Sequence, residues 1–241
     1  MSLEKYFAPF RKQVVGRDQT FTSPFGEQKI IYADWTASGR IYKGIEDKLN
    51  QEIFPFVANT HTETSTTGAT MSLAFHEATH IIKNHIGAND DDVLISGGAG
   101  MTMLVCKFQR ILGLKIHEKY IDQVEIKNRP VIFVTHMEHH SNQTSWLETI
   151  AEVALIPHTK DGHIDLVAFQ PLLDKYADRK LKIAAVTSCS NVTGVFTPYY
   201  DIAEIMHDNG GLCFVDFACS APYIDINMHP ENPKQQLDAI Y

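Results

Sequence analysis

Three short runs, Val131-Ile132-Phe133-Val134, Ile183-Ala184-Ala185-Val186 and Leu212-Cys213-Phe214-Val215, are apolar without a break, and polar residues follow each one at once. A strand with one wet face alternates apolar and polar side chains. A strand that is apolar at every position is covered on both faces. Helical patterns lie between the runs, near Leu166 to Tyr176 and from Asp201 to His207. Apolar strands alternating with helices predict an α/β fold with a mainly parallel sheet between two layers of helices. Val153-Ala154-Leu155-Ile156 extends the series, and so does Val93-Leu94-Ile95, which is followed by a helix from Met101 to Leu114.

The upstream third reads differently. It is turn-rich to Ser23-Pro24-Phe25-Gly26, with a short strand expected at Ile30–Ala33 and a loop at Asp34–Arg40. Ile41, Ile45, Leu49 and Ile53 share one face of a helix expected to run to Phe54, where Pro55 stops it. Asn59 to Gly68 is a hydroxyl-rich loop, and Met71 to Ile86 is a second helix closed by Gly87.

With 44% apolar and 21% charged residues, the chain has the composition of a folded domain. Its net charge of −8 argues against a protein that coats nucleic acid or an anionic membrane. No apolar stretch approaches the ~18 residues of a membrane span. The four cysteines, at 106, 189, 213 and 219, form no C-x-x-C pair and read as reduced thiols of a cytoplasmic protein. The opening residues lack the long apolar core of a signal peptide.

In open parallel sheets, ligands bind beyond the carboxyl ends of the strands. Four such ends carry chemistry. Ser96-Gly97-Gly98-Ala99-Gly100 before a helix suits an anion, most often phosphate, although a ligand-free tight turn would look the same. Thr135-His136-Met137-Glu138-His139-His140-Ser141-Asn142 brings two adjacent histidines, suited to ring stacking, proton transfer or metal binding. Ser190-Asn191-Val192-Thr193-Gly194 offers an amide donor, or simply a turn. Asp216 closes the last apolar run, where a desolvated carboxylate calls for a cation, or else caps a helix. Together, a phosphate cradle, an imidazole, an amide and a buried acid match the needs of pyridoxal phosphate.

The order of these motifs resembles the class V aminotransferase superfamily, the fold-type I pyridoxal 5'-phosphate enzymes that include cysteine desulfurases and selenocysteine lyases. Glu138-His139-His140-Ser141-Asn142 with Trp146 is similar to that family's histidine loop, which implies ring stacking and a catalytic role for His139. Ser190-Asn191-Val192-Thr193-Gly194 resembles its S-N-V-x-G segment, placing Asn191 at the cofactor's phenolic oxygen, and Asp216 would pair with the pyridine nitrogen. Gly97, Gly98 and Ala99 occupy the place of the phosphate loop; since they lack its hydroxyls, backbone amides would do the binding, with help from Thr102. Cys219 stands where many relatives carry a polar residue, and its role stays open.

The resemblance implies a three-layer large domain over residues 56–241, preceded by an arm over residues 1–55, with the small C-terminal domain absent. It also implies a small amino-acid substrate and a homodimer in the full-length form. The family's Schiff-base lysine follows a strand resembling Leu237–Tyr241. The last lysine here, Lys234, has no histidine before it, so an inactive fragment is expected. Two other readings compete. His76-Glu77-Ala78-Thr79-His80 matches H-E-x-x-H, the pattern of a zinc hydrolase, but Lys83 and Ile86 break the extended motif. A non-catalytic interaction module derived from the enzyme fold is the other.

Overall fold

The computed structural model describes residues 1–60, 62–98 and 100–241. The chain falls into two compact units, Met1–Ile81 and Ile82–Tyr241.

The first unit opens with α1 (Leu3–Lys12), capped by the Ser2 hydroxyl. A hairpin follows, β1 (Thr20–Ser23) against β2 (Gly26–Lys29), with Pro24 and Phe25 in the loop and Gly26 at φ +93°. These strands replace the one expected at Ile30–Ala33. The tight turn sets a register that pairs Thr20 with Lys29, and only the Ile30 N–H continues the pairing, donating to the Gln19 carbonyl. The helix expected over Ile41–Phe54 is also shorter: α2 (Lys43–Lys48) passes into a π turn, Leu49–Ile53, and a 3-10 turn, Phe54–Phe56. Pro55 has no N–H to carry the helix on. Then comes α3 (Thr66–His85), within which the unit boundary falls.

The second unit carries the sheet. Its elements are α4 (Met101–Ile111), β3 (Val131–Val134), α5 (His140–Leu147), β4 (Glu152–Leu155), α6 (Leu166–Asp174), β5 (Lys182–Thr187), α7 (Tyr199–Asp208), β6 (Leu212–Asp216) and β7 (Ala239–Ile240). The strand order is β4-β3-β5-β6-β7, all parallel. Successive side chains point to opposite faces. Thus Val131, Phe133, Ala184, Val186, Cys213 and Val215 enter a core with Phe169 and Leu173 of α6 and Ile202 and Met206 of α7. Ile132, Val134, Ile183, Ala185 and Phe214 enter the other, with Trp146 of α5. Phe133 meets Phe169 edge-on at 5.4 Å between centroids. Both sides of the sheet are dry, which is why these strands read as unbroken apolar runs.

Val93-Leu94-Ile95, expected as a strand, is irregular. Among the described residues it pairs with no strand; Val93 is 83% exposed, and the segment lines a cavity of about 390 Å3 together with α4 and β7. Among the described residues no helix is long and apolar enough to cross a membrane.

Candidate active site

Parallel pairing puts the carboxyl ends of β3, β5 and β6 side by side, with Thr187 of β5 opposite Asp216 of β6. Asp216 is 5% exposed. Its Oδ1 accepts the Ala218 N–H at 2.8 Å, an arrangement that turns the chain sharply after the strand. Burial pushes the carboxyl upward, opposed by that N–H and by the electrostatic influence of His139. The His139 ring is therefore close enough to act on Asp216 electrostatically.

His139 is the N-cap of α5. Its Nδ1 accepts the Ser141 N–H at 3.3 Å and lies 2.8 Å from the Ser141 hydroxyl. Capping fixes the ring by one edge and leaves the residue exposed. His140 packs edge-on against it at 5.9 Å.

Asn191 lies exposed in the turn after β5. The Ser190 hydroxyl accepts the Val192 and Thr193 N–H groups, the Gly194 N–H returns to the Ser190 carbonyl, and Gly194 sits at φ +73°. This turn is tied to the one after β6: the Ser188 and Ser220 hydroxyls meet at 2.5 Å, and the Cys219 thiol donates to the Cys189 carbonyl at 2.8 Å. Burial, then the neighbouring Cys189 and Asp216, push the Cys219 thiol up to about 11, so it is protonated at neutral pH.

Gly97 and Gly98 precede α4, and Gly100 caps it at φ +80° with no side-chain cap; Ala99 lies outside the described residues. The first N–H groups of α4 thus have no capping side chain, and open space surrounds the position a Gly98 Cβ would take. Thr102 is in the first turn. The loops after β3, β5 and β6 are joined by direct contacts. Met101, which follows the glycine turn, lines that cavity with Tyr241, and the Tyr241 hydroxyl reaches Asn142 of α5.

Sequence reasoning gave no role to Glu138. Its Oε1 accepts the Thr135 hydroxyl at 2.6 Å, the Thr187 N–H at 2.9 Å and the Thr135 N–H at 3.2 Å, and its Oε2 accepts the Asn142 amide at 2.6 Å. Asn142 in turn accepts Trp146 Nε1–H at 3.0 Å and the Tyr241 hydroxyl at 2.5 Å. The spacing Thr135-x-x-Glu138-x-x-x-Asn142 was the available signal; the Thr187 and Tyr241 contacts come from far along the chain. Separately, His76, Glu77 and His80 lie exposed on α3. Among the described residues no three His, Cys, Asp or Glu gather within metal-binding range.

The donor set fits a phosphorylated cationic ring. A desolvated carboxylate gains from a positive partner, uncapped helix amides gain from an anion, and an exposed imidazole edge-anchored by its own helix is free to stack.

Residues 31–232 match the family model for aminotransferase class-V. The chain belongs to the class V aminotransferase family. This is a family of pyridoxal-phosphate-dependent enzymes. The chain is 26% identical over 203 residues to a probable cysteine desulfurase of Halalkalibacterium halodurans, covering 83% of this chain and 47% of that one. It is 25% identical over 197 residues to a cysteine desulfurase of Haloferax volcanii, covering 80% and 43%. It thus spans about half the length of these curated relatives. Among solved structures it is similar to the apo cysteine desulfurase of Thermococcus onnurineus NA1, with TM-score 0.70 and 20% identity, covering 99% of this chain and 52% of that one. The cysteine desulfurase CsdA of Escherichia coli gives 0.64 and 19%, covering 92% and 51%. The α/β architecture expected from the sequence, a mainly parallel sheet of the fold-type I kind, is the one observed.

Proposed function

We propose that this chain is the cofactor-binding part of a pyridoxal 5'-phosphate enzyme acting on a small amino acid, with chemistry of the cysteine desulfurase or selenocysteine lyase type. The observation that carries the reading is Asp216: a buried strand-end carboxylate within electrostatic reach of an exposed, edge-anchored His139. The family membership and the names of the relatives support it.

When bound, the cofactor supplies an electron sink for bond cleavage beside the substrate's Cα. Asp216 keeps the proton on the ring nitrogen, because a neutral pyridine would leave the buried carboxylate unpaired. His139 would stack on the ring and could hold or move a proton at its imidazole. The Asn191 amide donates to the phenolic oxygen. Gly97 and Gly98, with the α4 N-terminus, would hold the phosphate through backbone N–H groups, and the sequence expectation for Ala99 belongs to the same reading. Lys234 is engaged with Asp208 of α7 at 2.6 Å, and we assign it no role. The division into an arm of residues 1–55 and a cofactor domain from residue 56, a cytoplasmic setting and a homodimeric full-length form belong to the same proposal.

Equilibrium dialysis of the purified chain against pyridoxal 5'-phosphate tests it. Saturable one-to-one binding is expected, weakened about tenfold or more by His139→Ala and by Asn191→Ala. No saturable binding, or unchanged binding by both variants, would contradict the assignment.

A further inference from the structure

We propose that Glu138 is the positioning residue of the His139 loop: as a carboxylate it ties the ends of β3 and β5 to α5, and on protonation it releases the loop. This rests on the reading that His139 faces a cofactor ring.

The argument comes from the polarity of the hydrogen bonds. Trp146 Nε1–H can only donate, so the Asn142 atom facing it at 3.0 Å is the oxygen. The Asn142 nitrogen therefore faces Glu138 and the Ala185 carbonyl, at 2.6 and 3.2 Å. The Thr135 and Thr187 N–H groups can only donate as well. The Thr135 hydroxyl already accepts the Met137 N–H at 3.1 Å, and its own proton points at Glu138, 2.6 Å away. Each of these partners of Glu138 thus donates a hydrogen bond to it. Protonation turns a charged acceptor into a neutral one and so weakens all four bonds; on Oε1, which already accepts three, or on the Oε2 lone pair that faces Asn142, it also breaks one or turns the Thr135 hydroxyl around.

Burial, acting against these donors, pushes Glu138 up to about 7. The balance between held and released loop is therefore struck close to neutrality. The ionisable groups around it are Asp216 at the end of β6 and Tyr241 after β7, whose phenol burial and then both carboxylates push upward. On its own loop stand His139 and His136, which packs against His158 at 4.5 Å. Burial and then His158 lower His136 from the ordinary histidine value.

The test needs no cofactor. The protein has two tryptophans, so Trp35→Phe leaves Trp146 as the reporter in the full 241-residue chain. Its emission is followed from roughly pH 5.5 to 8.5. A single transition near neutrality is expected, absent in Glu138→Gln and retained in His139→Ala. Thr135→Val keeps the volume and removes a donor to the charged form, so it should raise the midpoint by about half a unit or more. This variant decides the matter should Glu138→Gln fail to fold. The proposal is overturned by no transition, by one that survives Glu138→Gln or vanishes in His139→Ala, or by an unmoved midpoint in Thr135→Val. In a second arm, pyridoxal 5'-phosphate affinity should fall about tenfold below the wild-type midpoint and stay flat with pH in Glu138→Gln. Failure to bind at any pH would refute the cofactor reading, while the emission titration still decides the role of Glu138.

Discussion

Asp216 shows at the scale of one residue how stability and function pull apart. Its carboxylate is desolvated, and the Ala218 N–H is a partial remedy. Asp216→Asn keeps an oxygen for that N–H and removes the charge. Thermal unfolding should therefore be unchanged or shifted upward, while cofactor affinity falls about tenfold or more. Circular dichroism melts and equilibrium dialysis on the same samples check both; a variant that melts lower and binds normally would reverse the argument. The strand end at Asp216 was legible in the sequence because that residue closes an apolar run, and a strand end needs no long-range information. Glu138 was not. Its carboxylate lies two positions from His136 and one from His139, but what defines it is the Thr187 N–H, and no local pattern announces a partner 49 residues away.

At the scale of elements, the strands buried on both faces were readable, and those that depend on a neighbour were not. β3, β5 and β6 declare themselves because helices cover both faces of each, whatever the register. Val93–Ile95 is as apolar but pairs with no strand among the described residues; it lines a cavity with α4 and β7 and its backbone is irregular. In the first unit the Pro24-Phe25 loop selected polar flanking residues as strands over the more apolar Ile30–Ala33. The glycine turn before α4 gives a sharper prediction. Gly100 holds φ +80°, a region that a Cβ disfavours. Gly100→Ala should lower unfolding free energy by about 1 kcal/mol in a denaturant titration and weaken inorganic phosphate and cofactor binding together. The Gly97 Cβ would meet the tip of Leu104, 2.7 Å away at Cδ2, which a flexible side chain can yield, so Gly97→Ala should be milder. The reverse ranking would show that the turn is not held by Gly100.

For the molecule as a whole, the sheet of the second unit is the source of stability, and the pH response comes from carboxylates placed at its edge. Phe169 is fully buried against Phe133, and Phe169→Ala should remove about 3–5 kcal/mol in chemical denaturation. Glu138 titrates near 7 in the folded chain against 4.5 for an ordinary glutamate, and Asp216 is raised too. Below about pH 4.5 Glu138 is protonated in both states. As pH rises toward 7 the unfolded chain loses its proton first, so folding stability declines, and above 7 the difference is constant. Glu138 alone accounts for up to about 3 kcal/mol of this decline. Denaturation of wild type and Glu138→Gln at pH 5 and pH 8 should show wild type losing ground relative to the variant; a gain would reverse the sign. The central claim, that Asp216 holds the positive end of a bound pyridoxal phosphate ring, is tested most directly by the nitrogen-15 resonance of cofactor labelled at the ring nitrogen. A protonated pyridinium signal in the wild-type complex, replaced by a neutral pyridine signal in Asp216→Ala, is the expected result. A neutral ring in wild type, or a pyridinium that survives Asp216→Ala, would contradict it.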